Sequence, residues 1–285
     1  MIIDSHNHPD WQKHNFDKFI ENMNEMNIDK TWLLSWETSD EEYSTEIVKL
    51  MPHFESVGPI PFSRCLAYAE KAPEKFVLGY APDPRSKDAV SKLKAAVDNY
   101  GVKVCGEVKV RMMYDNPDAI KMFRFCGEEG LPVVLHMQYP LEADSYYKRS
   151  SWWYGGTIGT LERVLKACPE TNFIGHAPGV WAHISDDEKY LESNYPKGKV
   201  IKDGKLAQLL RQYPNFYCDI SAGSGLSALK RSPDYTREFM TEFADRILYA
   251  RDTFHNKHQE FINQLGLSQE VLDKIYYKNA EGLLK

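Results

Sequence analysis

Eight short runs rich in Val, Ile, Leu, Phe and Tyr recur along this chain of 285 residues, and helix-period segments separate them. The runs lie at 1–5, 31–36, 76–81, 102–110, 132–137, 172–176, 215–220 and 246–251. Short apolar runs of this kind read as strands, and their steady alternation with helical periods reads as repeated βα units around a parallel sheet. Phe16, Phe19, Ile20 and Met23 set one such period, and Ile158, Leu161, Val164 and Leu165 another; each would cover the sheet from outside. Further helices are expected over 89–99, 119–129, 205–212, 235–243 and from 258 onward. The last is expected to break near Gly266, with Ser268 placed to cap a new turn. Eight units in a chain of this length predict a single-domain (β/α)₈ barrel, the TIM barrel, spanning residues 1–285.

The helix-to-strand joints are terse, as in Glu129-Gly130-Leu131-Pro132 and Tyr213-Pro214-Asn215, whereas the long segments 37–74, 138–157, 177–204 and 221–234 follow strands. Long loops at the C-terminal mouth of the barrel are the consequence. Tyr139, Tyr146, Tyr147, Trp152, Trp153, Trp181 and Tyr190 lie in them, which suits a rim enclosing a small-molecule substrate.

A net charge of −6 with both signs scattered leaves no basic stripe for phosphates, so nucleic acid is not an expected partner. No apolar stretch approaches the roughly 18 residues that span a bilayer, and Met1 leads directly into Ile2-Ile3-Asp4 rather than a leader pattern. Cys65, Cys105, Cys126, Cys168 and Cys218 are odd in number and far apart, as buried thiols of a reducing compartment would be. A cytoplasmic protein is expected, with a homodimer as the commonest assembly for such a chain.

Chemistry concentrates in Asp4-Ser5-His6-Asn7-His8, because residues two apart on a strand face one side and can share a metal. His136 closes the fifth run, His176 closes the sixth, and Asp252 follows the eighth. Strand C-termini of an α/β barrel meet at one mouth, so residues more than 200 positions apart would converge there. Imidazoles with a carboxylate are what Zn²⁺ accepts while keeping a position open for water; manganese, cobalt and iron tolerate the same set.

In this pattern the chain resembles the amidohydrolase superfamily of metal-dependent barrels, in its amidohydrolase-related (amidohydrolase 2) branch. The resemblance is carried by Ile3-Asp4-Ser5-His6-Asn7-His8, Leu131-Pro132-Val133-Val134-Leu135-His136, Gly175-His176 and Asn279-Ala280-Glu281-Gly282-Leu283-Leu284, in order over nearly the whole chain. It implies that His6, His8 and His136 bind metal and that Asp252 ligates it or takes a proton from its water. His176 would hold a second ion or act as an acid/base, so one or two ions are implied. Two-metal members supply a bridging carboxylate from the fourth strand, either a carboxylated lysine or a glutamate. Cys105-Gly106-Glu107-Val108-Lys109 offers both; Glu107 is favoured because its carboxylate is ready-made, and the two together could instead form a buried ion pair.

Many members carry Ser or Thr before the final aspartate, whereas this chain has Ala250-Arg251-Asp252. Arg251 either binds an anionic substrate or points outward into the helix layer. Lys109 and Arg111 would add positive potential for a substrate carboxylate; Arg64 reads more simply as surface. His183 reads as ordinary loop polarity, and His14, His53, His255 and His258 stay outside the metal set.

The expected activity is hydrolysis of a carboxylic ester, lactone or amide of a small anionic substrate by metal-activated water, with Asp252 and His176 as catalytic residues. A nonoxidative decarboxylase of the same branch, a lyase, is the alternative, and a noncatalytic binding barrel the third.

Overall fold

Eight short parallel strands form in the computed structural model, which describes residues 1–38, 42, 59–139 and 153–284. They are β1 (Ile3–Asn7), β2 (Lys30–Leu33), β3 (Phe76–Leu78), β4 (Cys105–Val108), β5 (Val133–His136), β6 (Phe173–His176), β7 (Phe216–Asp219) and β8 (Ile247–Leu248). Pairing runs β1-β2-β3 and β4-β5-β6-β7-β8. A parallel bridge between Gly79 and Val104 joins the two sets. The amides of Ser5 and Asp252 donate to the carbonyls of Tyr249 (3.0 Å) and His6 (2.9 Å), closing β8 onto β1. Closure leaves no sheet edge, and the fold is an α/β barrel.

The pleat sorts side chains between two cores. Val133, Leu135 and Phe173 face the helices, while Val134 and Ile174 join Ile3, Trp32, Leu34, Val104 and Leu248 inside the barrel. His136 and His176 stand two residues beyond Val134 and Ile174, and so occupy the interior at the C-terminal mouth. Strict alternation from Ile3 and Val104 would turn His6 and Glu107 outward. The pairing register shifts between Asp4 and Asn7 in β1, and between Cys105 and Val108 in β4. Each irregularity adds the residue that brings the functional side chain inside. Gly106 allows the close approach there, since a Cβ on it would stand 2.9 Å from the Val134 Cβ.

Around the barrel lie α1 (Phe16–Glu25), α2 (Phe62–Lys71), α3 (Ala89–Tyr100), α4 (Pro117–Glu129), α5 (Ile158–Ala167), α6 (Pro178–Trp181), α7 (Lys205–Gln212), α8 (Ala222–Lys230), α9 (Pro233–Glu242), α10 (Lys257–Gln264), α11 (Gln269–Asp273) and α12 (Asn279–Leu283). The tail breaks as expected: Gly266 is left-handed, and the Ser268 hydroxyl accepts from the Val271 amide at 3.3 Å. Ala280 and Leu283 of α12 seal the barrel floor. Three helices differ from expectation, because α2, α6 and α8 form within segments read as loops. Cys65, Tyr68 and Ala69 give α2 a buried stripe, but polar neighbours dilute it; in α8 the stripe is built from small residues, Ser224, Gly225 and Ala228 among them.

Candidate metal centre

At the mouth, the Glu107 carboxylate lies among four histidines. Its Oε1 is 2.6 Å from His136 Nδ1, 3.5 Å from His176 Nε2 and 3.9 Å from His6 Nε2. The other oxygen, Oε2, is 3.5 Å from His8 Nε2, which is also 3.7 Å from Asp252 Oδ1. Candidate ligand atoms cluster as His6, His8 and Glu107; as Glu107, His136 and His176; and as His6, His176 and Asp252. All are buried except Asp252, whose side chain keeps 16% exposure.

Hydrogen bonds on the far side of three of the rings, His6, His8 and His176, fix their tautomers. His8 Nδ1 lies 2.7 Å from the Leu34 carbonyl, which only accepts, so Nδ1 carries the proton and Nε2 keeps its lone pair. His6 Nδ1 and His176 Nδ1 donate in the same way to Asp219 Oδ2 (2.9 Å) and Oδ1 (3.1 Å). Three bare nitrogens therefore converge with ionised carboxylate on one space. His6 Nε2 and Asp252 Oδ1 are buried without a hydrogen-bond partner, an arrangement that a divalent cation resolves. The donor set thus fits a metal ion.

The charge states of Glu107 and His136 agree with ligand duty. Burial would lower His176, whereas the carboxylates of Asp219, Glu107 and Asp252 outweigh it and raise the ring, whose added proton a bound cation would displace. Burial alone would raise Glu107, but Lys109 and His136 outweigh it and hold the carboxyl well below its usual range. Burial, helped by Lys109, pushes His136 down to about 3, so that ring is neutral.

Asp219 is the residue that the sequence did not reveal. Besides both histidines, it accepts from the Ser221 hydroxyl (2.6 Å) and amide (3.0 Å). Burial would raise its carboxyl, yet His176 and His6 hold it below the carboxylate range. It ends β7 as His136 and His176 end their strands, which is the signal that could have found it. In Asp219→Asn the amide cannot accept from both rings, so metal affinity should fall about 10- to 100-fold with the fold retained. Competition against a chelator reads this; unchanged affinity would reduce Asp219 to a structural carboxylate.

The cations named from the sequence separate. Lys109 Nζ stands 4.3 Å over the Trp36 ring and 5.8 Å from that of Tyr154, close enough to act on Glu107 and His136. Arg111 turns to residue 42, donating its amide to Glu42 Oε2 (3.2 Å) and Nη2 to the Glu42 carbonyl (2.6 Å). Arg251 requires a correction as a substrate-binding residue. It is fully buried, with Nε on Asp4 Oδ2 (2.8 Å) and Nη1 on Asn22 Oδ1 of α1 (2.9 Å), facing the helix layer. Arg251→Met would leave the buried Asp4 carboxylate without its cation, though still hydrogen-bonded by the residue-251 amide and Asn7, and should cost about 3–5 kcal/mol of stability. Urea titration reads it, and a loss of under about 1 kcal/mol would assign the pair the weight of a surface contact.

Arg64 pairs with Asp10 at the surface, and the ring of His14 stacks on Phe254. His53, Tyr146, Tyr147 and Trp152 lie outside the described residues. His183 is not ordinary loop polarity: it is buried against Tyr139 and Tyr190. Burial pushes both His183 and His258 down to about 4. Unfolded, such rings take up a proton near 6.5. The unfolded chain therefore binds more protons between these values, so stability falls as pH drops from about 6.5 to about 4, with no further loss from these rings below that. His258→Gln keeps a donor for the Ala222 carbonyl but cannot protonate, and across the window it should lose about 1–2 kcal/mol less than wild type. Parallel pH curves would refute this.

A closed α/β barrel whose strand ends gather imidazoles and carboxylates in this way defines a metal-dependent barrel enzyme. The chain belongs to the amidohydrolase family: residues 3–285 match Amidohydro_2, described as Amidohydrolase. It is accordingly an enzyme of the hydrolase or lyase kind. Among solved structures, an uncharacterized TIM-barrel protein from Bordetella bronchiseptica is 16% identical with a TM-score of 0.65, over 99% of this chain and 97% of that one. A dihydroxybenzoic acid decarboxylase from Polaromonas, solved with manganese and 2-nitroresorcinol, is 17% identical (TM-score 0.62; 99% and 96% covered). A probable 2-pyrone-4,6-dicarboxylic acid hydrolase from Acinetobacter baumannii, with citric acid bound, is 12% identical (TM-score 0.60; 99% and 98% covered). At these identities the likeness is one of fold. No curated protein sequence matches the chain significantly. Among the described residues no helix is long and apolar enough to cross a membrane.

Proposed function

We propose that this barrel is a two-metal hydrolase that adds water to a carboxylic ester, lactone or amide of a small anionic substrate. The observation that carries the proposal is Glu107, which belongs to two of the ligand clusters at once. His6, His8 and Asp252 would hold one ion with it, and His136 and His176 the other. When bound, the metal supplies Lewis acidity, which lowers the pKa of water and polarises a carbonyl. Asp252, whose Oδ1 accepts no hydrogen bond and whose side chain is the most open of the set, accepts the proton of the attacking water and returns it to the leaving group. Asp219 holds the His6 and His176 rings in their orientation. Lys109 supplies the positive charge that draws a substrate carboxylate towards the mouth.

Zinc is the proposed native ion, because neutral imidazoles dominate the donor set. A single domain and a homodimer, the commonest assembly, belong to the same proposal. So does a cytoplasmic site, supported by five free, buried cysteines.

A nonoxidative decarboxylase is the second reading, favoured by an aromatic-walled cavity beginning at Gln138, two residues beyond His136. Metal content by plasma mass spectrometry, with a His6→Ala/His8→Ala variant alongside, and product analysis decide between them. Two ions per chain and net uptake of water support hydrolysis; CO₂ release without water uptake supports the lyase. Metal undiminished in the variant would overturn the site.

A further inference from the structure

Beside the metal centre, described residues that follow β4, β5 and β6 line a cavity of about 690 Å³. Four rings, Tyr139, Trp153, His183 and Tyr190, line it together with the apolar side chains of Met113 and Ile158. Gln138 joins it to the metal centre: the residue lines the cavity, and its Oε1 lies 3.4 Å from His136 Nε2. A space of this size and lining suits a small planar molecule.

One polar group in this wall is defined unusually well. The Tyr139 hydroxyl lies 2.8 Å from the Gly179 carbonyl, accepts the Ile158 amide at 2.8 Å, and is 2.6 Å from His183 Nε2. A carbonyl has no proton to give, so the single hydroxyl proton goes to Gly179. His183 Nε2 must then donate to the hydroxyl oxygen, and Nδ1 keeps its lone pair. No hydrogen bond reaches Nδ1 among the described residues. Burial keeps the ring neutral down to about pH 4, so the lone pair persists at physiological pH.

We propose that this cavity is the subsite for the non-reacting ring of the substrate, and that His183 Nδ1 selects a ring bearing a hydroxyl or N–H donor. The inference rests on the barrel mouth being the active site, and it narrows the substrate class to planar molecules with a donor substituent. Tyr139 is the positioning residue: its hydroxyl fixes which nitrogen of His183 is bare. A substituent that only accepts, such as a methyl ether, would face lone pair against lone pair and bind more weakly.

Two measurements on the metal-loaded protein test it. Long-range ¹H–¹⁵N correlation should show His183 protonated at Nε2 and bare at Nδ1; a proton on Nδ1 overturns the proposal. Phenol and anisole, which share a ring and differ in the donor, are then titrated by calorimetry or ligand-observed NMR. Phenol should bind about fivefold tighter, the worth of one net hydrogen bond, and His183→Phe should erase the preference. Should that variant not fold, Tyr139→Phe frees the tautomer and should weaken the preference instead. Equal binding of the two probes, or a preference untouched by the variant, would overturn the proposal. Metal content and turnover of the same preparations report separately on the catalytic reading, so the two can fail independently.

Discussion

Glu107→Gln will empty the metal centre and abolish turnover. The carboxylate touches His136 and lies within 3.9 Å of the three other histidines, so both proposed ion sites depend on its charge. A unit charge near a singly charged partner is worth about 4 kcal/mol at an effective dielectric constant of 20, and the figure grows for a divalent ion. Losing it should weaken metal binding about a thousandfold or more. The substitution is nearly isosteric, so far-ultraviolet circular dichroism should be unchanged while plasma mass spectrometry after dialysis finds the protein nearly metal-free. Retention of two ions at wild-type affinity would mean that Glu107 is no shared ligand, and the two-metal reading would fall with it.

The parts of this site that were legible in the sequence are those fixed by strand phase alone. His136 and His176 end apolar runs whose alternation continues undisturbed to the mouth, and paired residues His136 and His176 sit in register on β5 and β6. His6 and Glu107 owe their inward direction to a register slip in each strand, and no pattern of residue types announces a slip. The direction of Arg251 was equally hidden. Its partners Asp4 and Asn22 are 247 and 229 residues away, and only closure of β8 onto β1 brings them together. Asp219 escaped because a lone aspartate in an apolar run, Cys218-Asp219-Ile220, gives no local sign of two histidines behind it. Helix α8 was lost for a related reason: a stripe of Ser, Gly and Ala is helical in spacing but carries little hydrophobic contrast.

Asp252→Asn should lower kcat by about 10²- to 10⁴-fold, the range for removing a positioned proton acceptor, while leaving KM within a few-fold. The backbone makes this a clean substitution. Asp252 is left-handed, at φ 49°, a conformation that costs most side chains energy but that Asn tolerates as readily as Asp. Its amide donates to the His6 carbonyl at 2.9 Å, and its carbonyl accepts from Trp11 Nε1 (3.2 Å) and Gln12 Nε2 (3.4 Å). Held from both sides, the residue keeps its conformation whichever side chain it carries, and Oδ1 stays aimed into the site without competing hydrogen bonds. The amide can fill the same space but takes up no proton. Glu107, His136 and His176 still offer a complete ion site, so at least one ion should remain bound, and the variant separates proton transfer from metal loading. A kcat within tenfold of wild type, with metal retained, would move the proton-accepting role to His176 and leave Asp252 as a ligand only.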